Sequence, residues 1–126
     1  MASVENHLIE LLPRKDRQHL LGLCNPVPLR FAEVLCEPGR PTRYVYFPTE
    51  GFISLVALID GSPGVEVGMV GREGMLGAHL ALGVAVAPLR ALVQGSGIAW
   101  RIGTPTFRRE LARSAALREG VHRYVY

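Results

Sequence analysis

"VGREGMLGAHLALG", residues 70–83, sets Gly71, Gly74, Gly77 and Gly83 between a stretch of strand character and a short run of helical character. A glycine-dense turn between a strand and a helix offers bare backbone N–H groups and a helix N-terminus to an anion, so a phosphate cradle is its first reading. It is not a P-loop, because the lysine and hydroxyl of G-x-x-x-x-G-K-[ST] are missing, and it does not fit G-x-G-x-x-G. What it marks is decided by the chain around it.

Upstream, "PLRFAEVLCE" (28–37), "RYVYF" (43–47), "GFISLVALI" (51–59) and "VEVGMV" (65–70) read as short strands. Downstream, "LRALVQG" (89–95) and "GIAWRI" (97–102) do the same. "EPGRP", "PTEG" and "DGSPG" stand between strands as turns, since proline fixes φ and glycine permits positive φ. Residues 52–59 are apolar in both alternations, which predicts a strand covered on both faces. This density of short strands predicts an antiparallel sandwich or barrel.

Helical patterns flank the strands. Leu8, Leu11 and Leu12, then Leu20 and Leu21, recur at helical spacing on either side of Pro13, predicting two short helices that meet there. "TPTFRRELA" (104–112) predicts a helix with Thr104 as N-cap, Pro105 at its first position and Phe107 over Leu111; Ser114 would cap a last helix ending at Tyr126. The chain thus divides into an N-terminal helical segment (1–23), a β region (24–103) with the glycine turn at 71–82, and C-terminal helices (104–126).

At 126 residues, 48% hydrophobic and 20% charged, the chain has the makings of one globular domain. No apolar run approaches the ~18 residues of a membrane span and the start lacks a signal peptide's pattern, which predicts a cytoplasmic protein without a membrane partner. The net charge of +3 is scattered. Arg108, Arg109 and Arg113, close together near the C-terminus, read as a solvated helix face rather than a nucleic-acid stripe. Cys24 and Cys36 lack C-x-x-C spacing and read as buried free thiols. Of His7, His19, His79 and His122 only His79 lies among the strands, too few for a cupin-type metal centre. With no G-x-S-x-G elbow and no thiol in a charged setting, the sequence predicts a protein that is not an enzyme. Tyr44, Tyr46 and Trp100 read as strand aromatics of the core.

The order of helix, β-roll with "EPGRPTRYVYFPTEGFISLV", the turn "GREGMLGAHLALG", two closing strands and the helix "TPTFRRELA" resembles the cyclic-nucleotide-binding domain of the catabolite-activator (Crp/Fnr) family of bacterial transcription regulators, over nearly the whole chain. Gly39 matches that family's turn after the second strand, Gly51 its turn after "YVYFPTE", and Gly77 the glycine opening the short helix of the phosphate cassette. The resemblance implies a mainly β fold with flanking helices, a double-stranded β-helix (jelly-roll β-roll). It also implies an effector-sensing domain, cyclic nucleotide as ligand, a homodimer formed through the C-terminal helix, and DNA contact only through a helix-turn-helix module, of which this sequence shows no pattern. The chain ends where the family's long dimerisation helix would begin, so the expectation is a truncated regulator or a stand-alone sensor.

The ligand-reading residues depart from that pattern. Ala78 stands where the family has a glutamate for the ribose 2′-hydroxyl, and Leu89 where it has the arginine for the cyclic phosphate. Arg90 comes one residue later and, by strand alternation, is aimed away from the pocket unless a bulge re-registers it. The candidate ligand-binding set is Gly71, Arg72, Glu73, Gly74, Gly77, Ala78, His79 and Arg90, serving a small anionic or nucleotide effector. Arg72 would contact the anion and Glu73 would accept from a ligand hydroxyl, or both are solvated turn residues; His79 is a metal or haem ligand, or an ordinary core-edge histidine. The competing expectation is a ligand-free interaction or dimerisation module, its cleft filled by Leu80, Leu82 and Leu89, with "VHRYVY" (121–126) as a face awaiting a partner helix.

Overall fold

Pro13 separates two helices, α1 (His7–Glu10) and α2 (Arg14–Leu23), as the leucine spacing predicts. The structure, a computed structural model, describes residues 5–60 and 63–126; the first four residues and the Gly61–Ser62 pair of the expected 60–64 turn lie outside the described residues. Asn6 starts α1, its Oδ1 accepting from the backbone N–H of Leu8 at 3.0 Å and of Ile9 at 3.3 Å. Its amide nitrogen donates to the carbonyls of Pro48 and Gly74, both at 2.8 Å, and the residue is 1% exposed. One short side chain therefore joins the first helix, a strand and the glycine turn.

Five strands follow: β1 (Asn25–Leu29), β2 (Val34–Cys36), β3 (Tyr44–Ala57), β4 (Val65–Val70) and β5 (Arg90–Gly103). They form one antiparallel sheet in the order β1-β5-β3-β4, with β2 also paired to β5. The predicted run 28–37 divides in two. Ala32 takes a positive φ of 70°, its N–H donating to the Val93 carbonyl at 2.9 Å, and the chain turns there before β2.

A larger correction concerns "PTEG" (48–51), which is not a chain reversal. β3 runs through it as a single strand paired along its length with β5, the register slipping between Pro48 and Glu50 and again between Glu50 and Phe52. β5 likewise runs through Gly95–Gly97 instead of breaking into two strands. At this bulged crossing Gly51 has φ 79°, and a Cβ built on it would collide with the Gly95 carbonyl oxygen. The glycines and proline that announce a turn here serve a close approach of two continuous strands.

Before the crossing, consecutive β3 residues alternate. Val45 and Phe47 pack under the helices with Leu20, Phe107, Leu117 and Val121, while Tyr46 joins Leu29, Ile53, Val70, Leu76 and Val93 inside the roll. The expected two-sided burial of 52–59 is not met: Phe52, Leu58 and Ile59 are exposed, and the strand ends at Ala57. Register slips at Phe52/Ile53 and Leu55/Val56 break the alternation, and the far end of the β3–β4 hairpin projects beyond the core.

Two helices close the fold, α3 (Thr104–Arg113) and α4 (Ala115–Val125). Gly103, not Thr104, is the N-cap of α3; the Thr104 hydroxyl donates instead to the Thr42 carbonyl at 2.7 Å, fastening the helix to the chain before β3. Phe107 and Leu111 form the expected buried pair. Ser114 caps α4, accepting from Leu117 N–H at 3.1 Å, and its hydroxyl donates to Asp16 at 2.7 Å. Arg108 and Arg109 are exposed, and Arg113 spans to the buried Glu110 carboxylate through bonds of 2.7 and 2.8 Å. No helix among the described residues is long and apolar enough to cross a membrane.

Two outcomes follow from these contacts. Gly51→Ala meets both positive-φ strain and a backbone collision, whereas Gly39→Ala, at φ 77° with open space around it, meets only the strain. In urea unfolding the first is expected to lose about 3 kcal/mol or more and the second about 1 kcal/mol. Glu110 accepts from Arg113 and pairs with His19 at 2.8 Å; chiefly the Arg113 bonds hold its carboxyl below the ordinary carboxylate range, against burial acting the other way. A depressed folded-state pKa contributes stability that is complete above the unfolded value of about 4.3 and is lost as pH falls through the lower folded one. Acid unfolding curves of Glu110→Gln should therefore lack a destabilising step below about pH 4 that the parent shows.

Candidate functional site

The stretch 70–83 forms one wall of a cavity, held in place by backbone bonds. Leu76 N–H donates to the Tyr46 carbonyl at 2.8 Å and Tyr46 N–H returns a bond to Leu76 at 3.1 Å, pinning the stretch against β3. His7 N–H donates to the Arg72 carbonyl at 2.8 Å, and Asn6 holds the Gly74 carbonyl, so the turn at 71–74 is tied down from α1 as well. Gly77 has φ 108° and lies so close to β3 that an added Cβ would stand 3.0 Å from Val45 Cγ2. The backbone angle favours glycine, and an added Cβ would also make the Val45 side chain give way. The predicted short helix is a single 3₁₀ segment, Ala78–Leu82.

Beneath this segment lies a cavity of about 420 Å³, within the range of ~300–1,000 Å³ usual for small-molecule pockets. Its floor comes from the roll (Cys36, Leu55, Val70) and its far wall from the loop into β5 (Ala87, Pro88, Leu89). Tyr124 and Val125 of α4 complete it. Among the described residues no Asp, Glu, Lys or Arg lines it.

The candidate residues separate cleanly. Gly77, Ala78 and His79 line the cavity; Gly71, Arg72, Glu73, Gly74 and Arg90 do not. Arg72 and Glu73 are exposed on the turn and unpaired with each other, the Glu73 carboxylate accepting from Gly71 N–H at 3.0 Å. Arg90 grips Glu37 on the surface through bonds of 2.6 and 3.2 Å, directed away from the cavity as strand alternation requires. The Glu37 carboxyl is held below its usual range, mainly by the hydrogen bond from Arg90.

His79 shares a 2.6 Å hydrogen bond between its Nε2 and the Thr42 hydroxyl, and burial pushes its pKa down from the usual imidazole value. Among the described residues no group of three or more His, Cys, Asp or Glu side chains is placed to hold a metal ion. Both cysteines are free, but only Cys24 is fully buried. Cys36 is half-buried on the cavity floor, where burial pushes its thiol up to about 11. Tyr44 lies outside the cavity under the Arg101 guanidinium, 4.1 Å from the ring centroid, while Tyr46 and Trp100 pack in the two cores.

The expected plug of the cleft is not formed. Leu80 points into the helix-covered core, and Leu82 and Leu89 border the cavity without filling it. The apolar side of "VHRYVY" is used within the chain: Val121 is 1% exposed and Tyr124 and Val125 turn toward the cavity, while His122, Arg123 and Tyr126 are exposed. Most of the lining lies outside the residues that the sequence singles out, including Cys36, Leu55 and Val70 of the roll; Tyr124 and Val125 are the two that come from α4. Their spacing from Val121 was visible as a helical stripe, but nothing local distinguishes a stripe facing its own chain from one facing a partner.

This architecture is that of the cyclic-nucleotide-binding β-roll, and known structures share it. The N-terminal domain of a transcriptional regulator from Streptomyces coelicolor A3(2) superposes with a TM-score of 0.74 at 18% identity, over 95% of this chain and 84% of that one. The catabolite activator protein of Thermus thermophilus gives 0.77 at 12% identity, over 95% of this chain and 56% of that one. The regulatory domain of Toxoplasma gondii PKA, crystallised with cAMP, gives 0.74 at 19%, over 94% of this chain and 42% of that one. No protein-family model and no curated protein sequence matches the chain.

Proposed function

We propose that this β-roll is the effector-sensing domain of a Crp/Fnr-type transcription regulator, with the cavity beneath residues 77–82 as its effector site and a pocket that has lost its polar readers of cyclic nucleotide. The observation that carries the reading is that one cavity is walled by both the glycine segment and α4, through Tyr124 and Val125. A ligand that favours one placement of α4 over another shifts the population between them by that difference in affinity, which is what signalling requires. In this reading α4 leads toward the dimerisation helix, and DNA is reached through a helix-turn-helix module outside this sequence.

The loss of cyclic nucleotide as effector is supported by charge. Desolvating a phosphate with no cation beside it costs several kcal/mol, and at about 1.4 kcal/mol per factor of ten that removes about three decades of affinity. Leu89 lines the cavity at the place of the phosphate-pairing arginine, and Arg90 is engaged with Glu37. The cleft's openness favours sensing over a ligand-free interaction module, because Leu82 and Leu89 leave about 420 Å³ vacant.

Calorimetric titration with cyclic AMP, cyclic GMP and cyclic di-GMP is expected to give no heat. Leu89→Trp, which fills the cavity as a ligand would, is expected to change amide hydrogen exchange across 115–125 by about fivefold or more while the protein remains folded by its thermal transition. Unchanged exchange in α4 would sever the cavity from the helix and contradict the reading.

A further inference from the structure

We propose that the cavity takes a neutral, mostly apolar small molecule, an aromatic ring or short aliphatic chain carrying one hydrogen-bonding group, and that this group meets the ring of His79. The inference rests on the reading of the cavity as the effector site and goes further, to the chemistry of the effector.

Three features of the lining select that class. Its walls are hydrocarbon, chiefly Leu55, Val70, Leu76, Leu82, Leu89 and Val125, so the dominant gain on binding is removal of apolar surface from water. Among the described residues no Asp, Glu, Lys or Arg lines it, and the lining side chains that carry a heteroatom are Cys36, Met75, His79 and Tyr124. The Cys36 thiol, pushed up to about 11, stays protonated near neutral pH; burial also raises Tyr124 and lowers His79, each shift favouring the uncharged form. An anion entering this space would meet no compensating charge.

The third feature is the hydrogen-bonding capacity left over. Tyr124's hydroxyl is held against the backbone of Gly74 and Met75, so its ring acts as wall. His79 is different. Thr42 engages only Nε2, at 2.6 Å, and Nδ1 has no partner among the described residues. A threonine hydroxyl both donates and accepts, so the Thr42–His79 pair adjusts its tautomer and presents Nδ1 as acceptor or donor to whatever polar group arrives. A hydroxyl, phenol or amide on an apolar body matches that offer.

The test uses N-phenyl-1-naphthylamine, a neutral apolar fluorophore, with displacement by 1-octanol and indole as neutral competitors, octanoate as the charged counterpart of octanol, and cyclic AMP. Expected results are enhanced fluorescence, displacement by octanol at a concentration at least tenfold below that of octanoate, no displacement by cyclic AMP, and loss of the signal in Leu89→Trp. Leu82→Trp serves as a second cavity-filling variant if Leu89→Trp does not fold. His79→Phe should weaken displacement by octanol about fivefold while leaving displacement by naphthalene, which has no hydrogen-bonding group, unchanged. Octanoate equal to octanol, displacement by cyclic AMP, or a signal undiminished in both tryptophan variants would each overturn the inference and leave sensing by another ligand standing. Absence of binding by every probe overturns it too, and if α4 exchange is also unchanged in Leu89→Trp the sensing reading falls with it.

Discussion

The buried amide of Asn6 is the joint on which the site depends. Its four hydrogen bonds are all made to backbone: two cap α1, one holds Pro48 of β3 and one holds Gly74 of the glycine turn. A group with two donors and a two-lone-pair acceptor, 1% exposed, has almost no freedom to rearrange, since each bond lost leaves a buried carbonyl or N–H unpaired. The turn at 71–74 is therefore fixed relative to the sheet and to the first helix at once. Everything that builds the cavity roof begins one residue later, at Met75.

From that joint the chain of consequence is short. Met75 lies under the helices, Leu76 pairs with Tyr46, and Gly77 turns left-handed against Val45 so that Ala78–Leu82 arches over the roll. Tyr124 lies so close to Gly74 that a Cβ on that glycine would strike its ring. α4 thus rests on the same turn that Asn6 clamps, while α3 is fastened by Thr104 to the Thr42 that also orients His79. The cavity is bounded by one firmly anchored wall and by the last residues of the last helix.

How much of this the sequence carries depends on the range of the interaction. Helix limits around Pro13, the Ser114 cap and the Phe107/Leu111 pair are local, and they are legible from spacing and side-chain chemistry alone. "PTEG" and "GSG" misled because Gly51 and Gly95–Gly97 serve each other across two strands, and a glycine required by a distant backbone looks the same as one required by a turn. Thr104 has the chemistry of an N-cap but spends its hydroxyl on Thr42, 62 residues away in sequence. At the site, Gly77 and the outward course of Arg90 were readable from motif and alternation. The apolar character of the pocket was half readable, through Ala78 and Leu89. The contribution of α4 was not, because it is set by tertiary packing of a stripe whose own sequence is indifferent to what it meets.

The central claim is that an uncharged apolar guest occupies the space between the glycine segment and α4. The measurement that reaches it most directly is a set of intermolecular nuclear Overhauser effects between bound N-phenyl-1-naphthylamine and methyl-labelled protein. The account places those effects on the methyls of Leu55, Leu82, Leu89 and Val125, which surround the cavity. Effects confined to Leu58, Ile59, Val65 and Val67, the exposed apolar end of the β3–β4 hairpin, would contradict it.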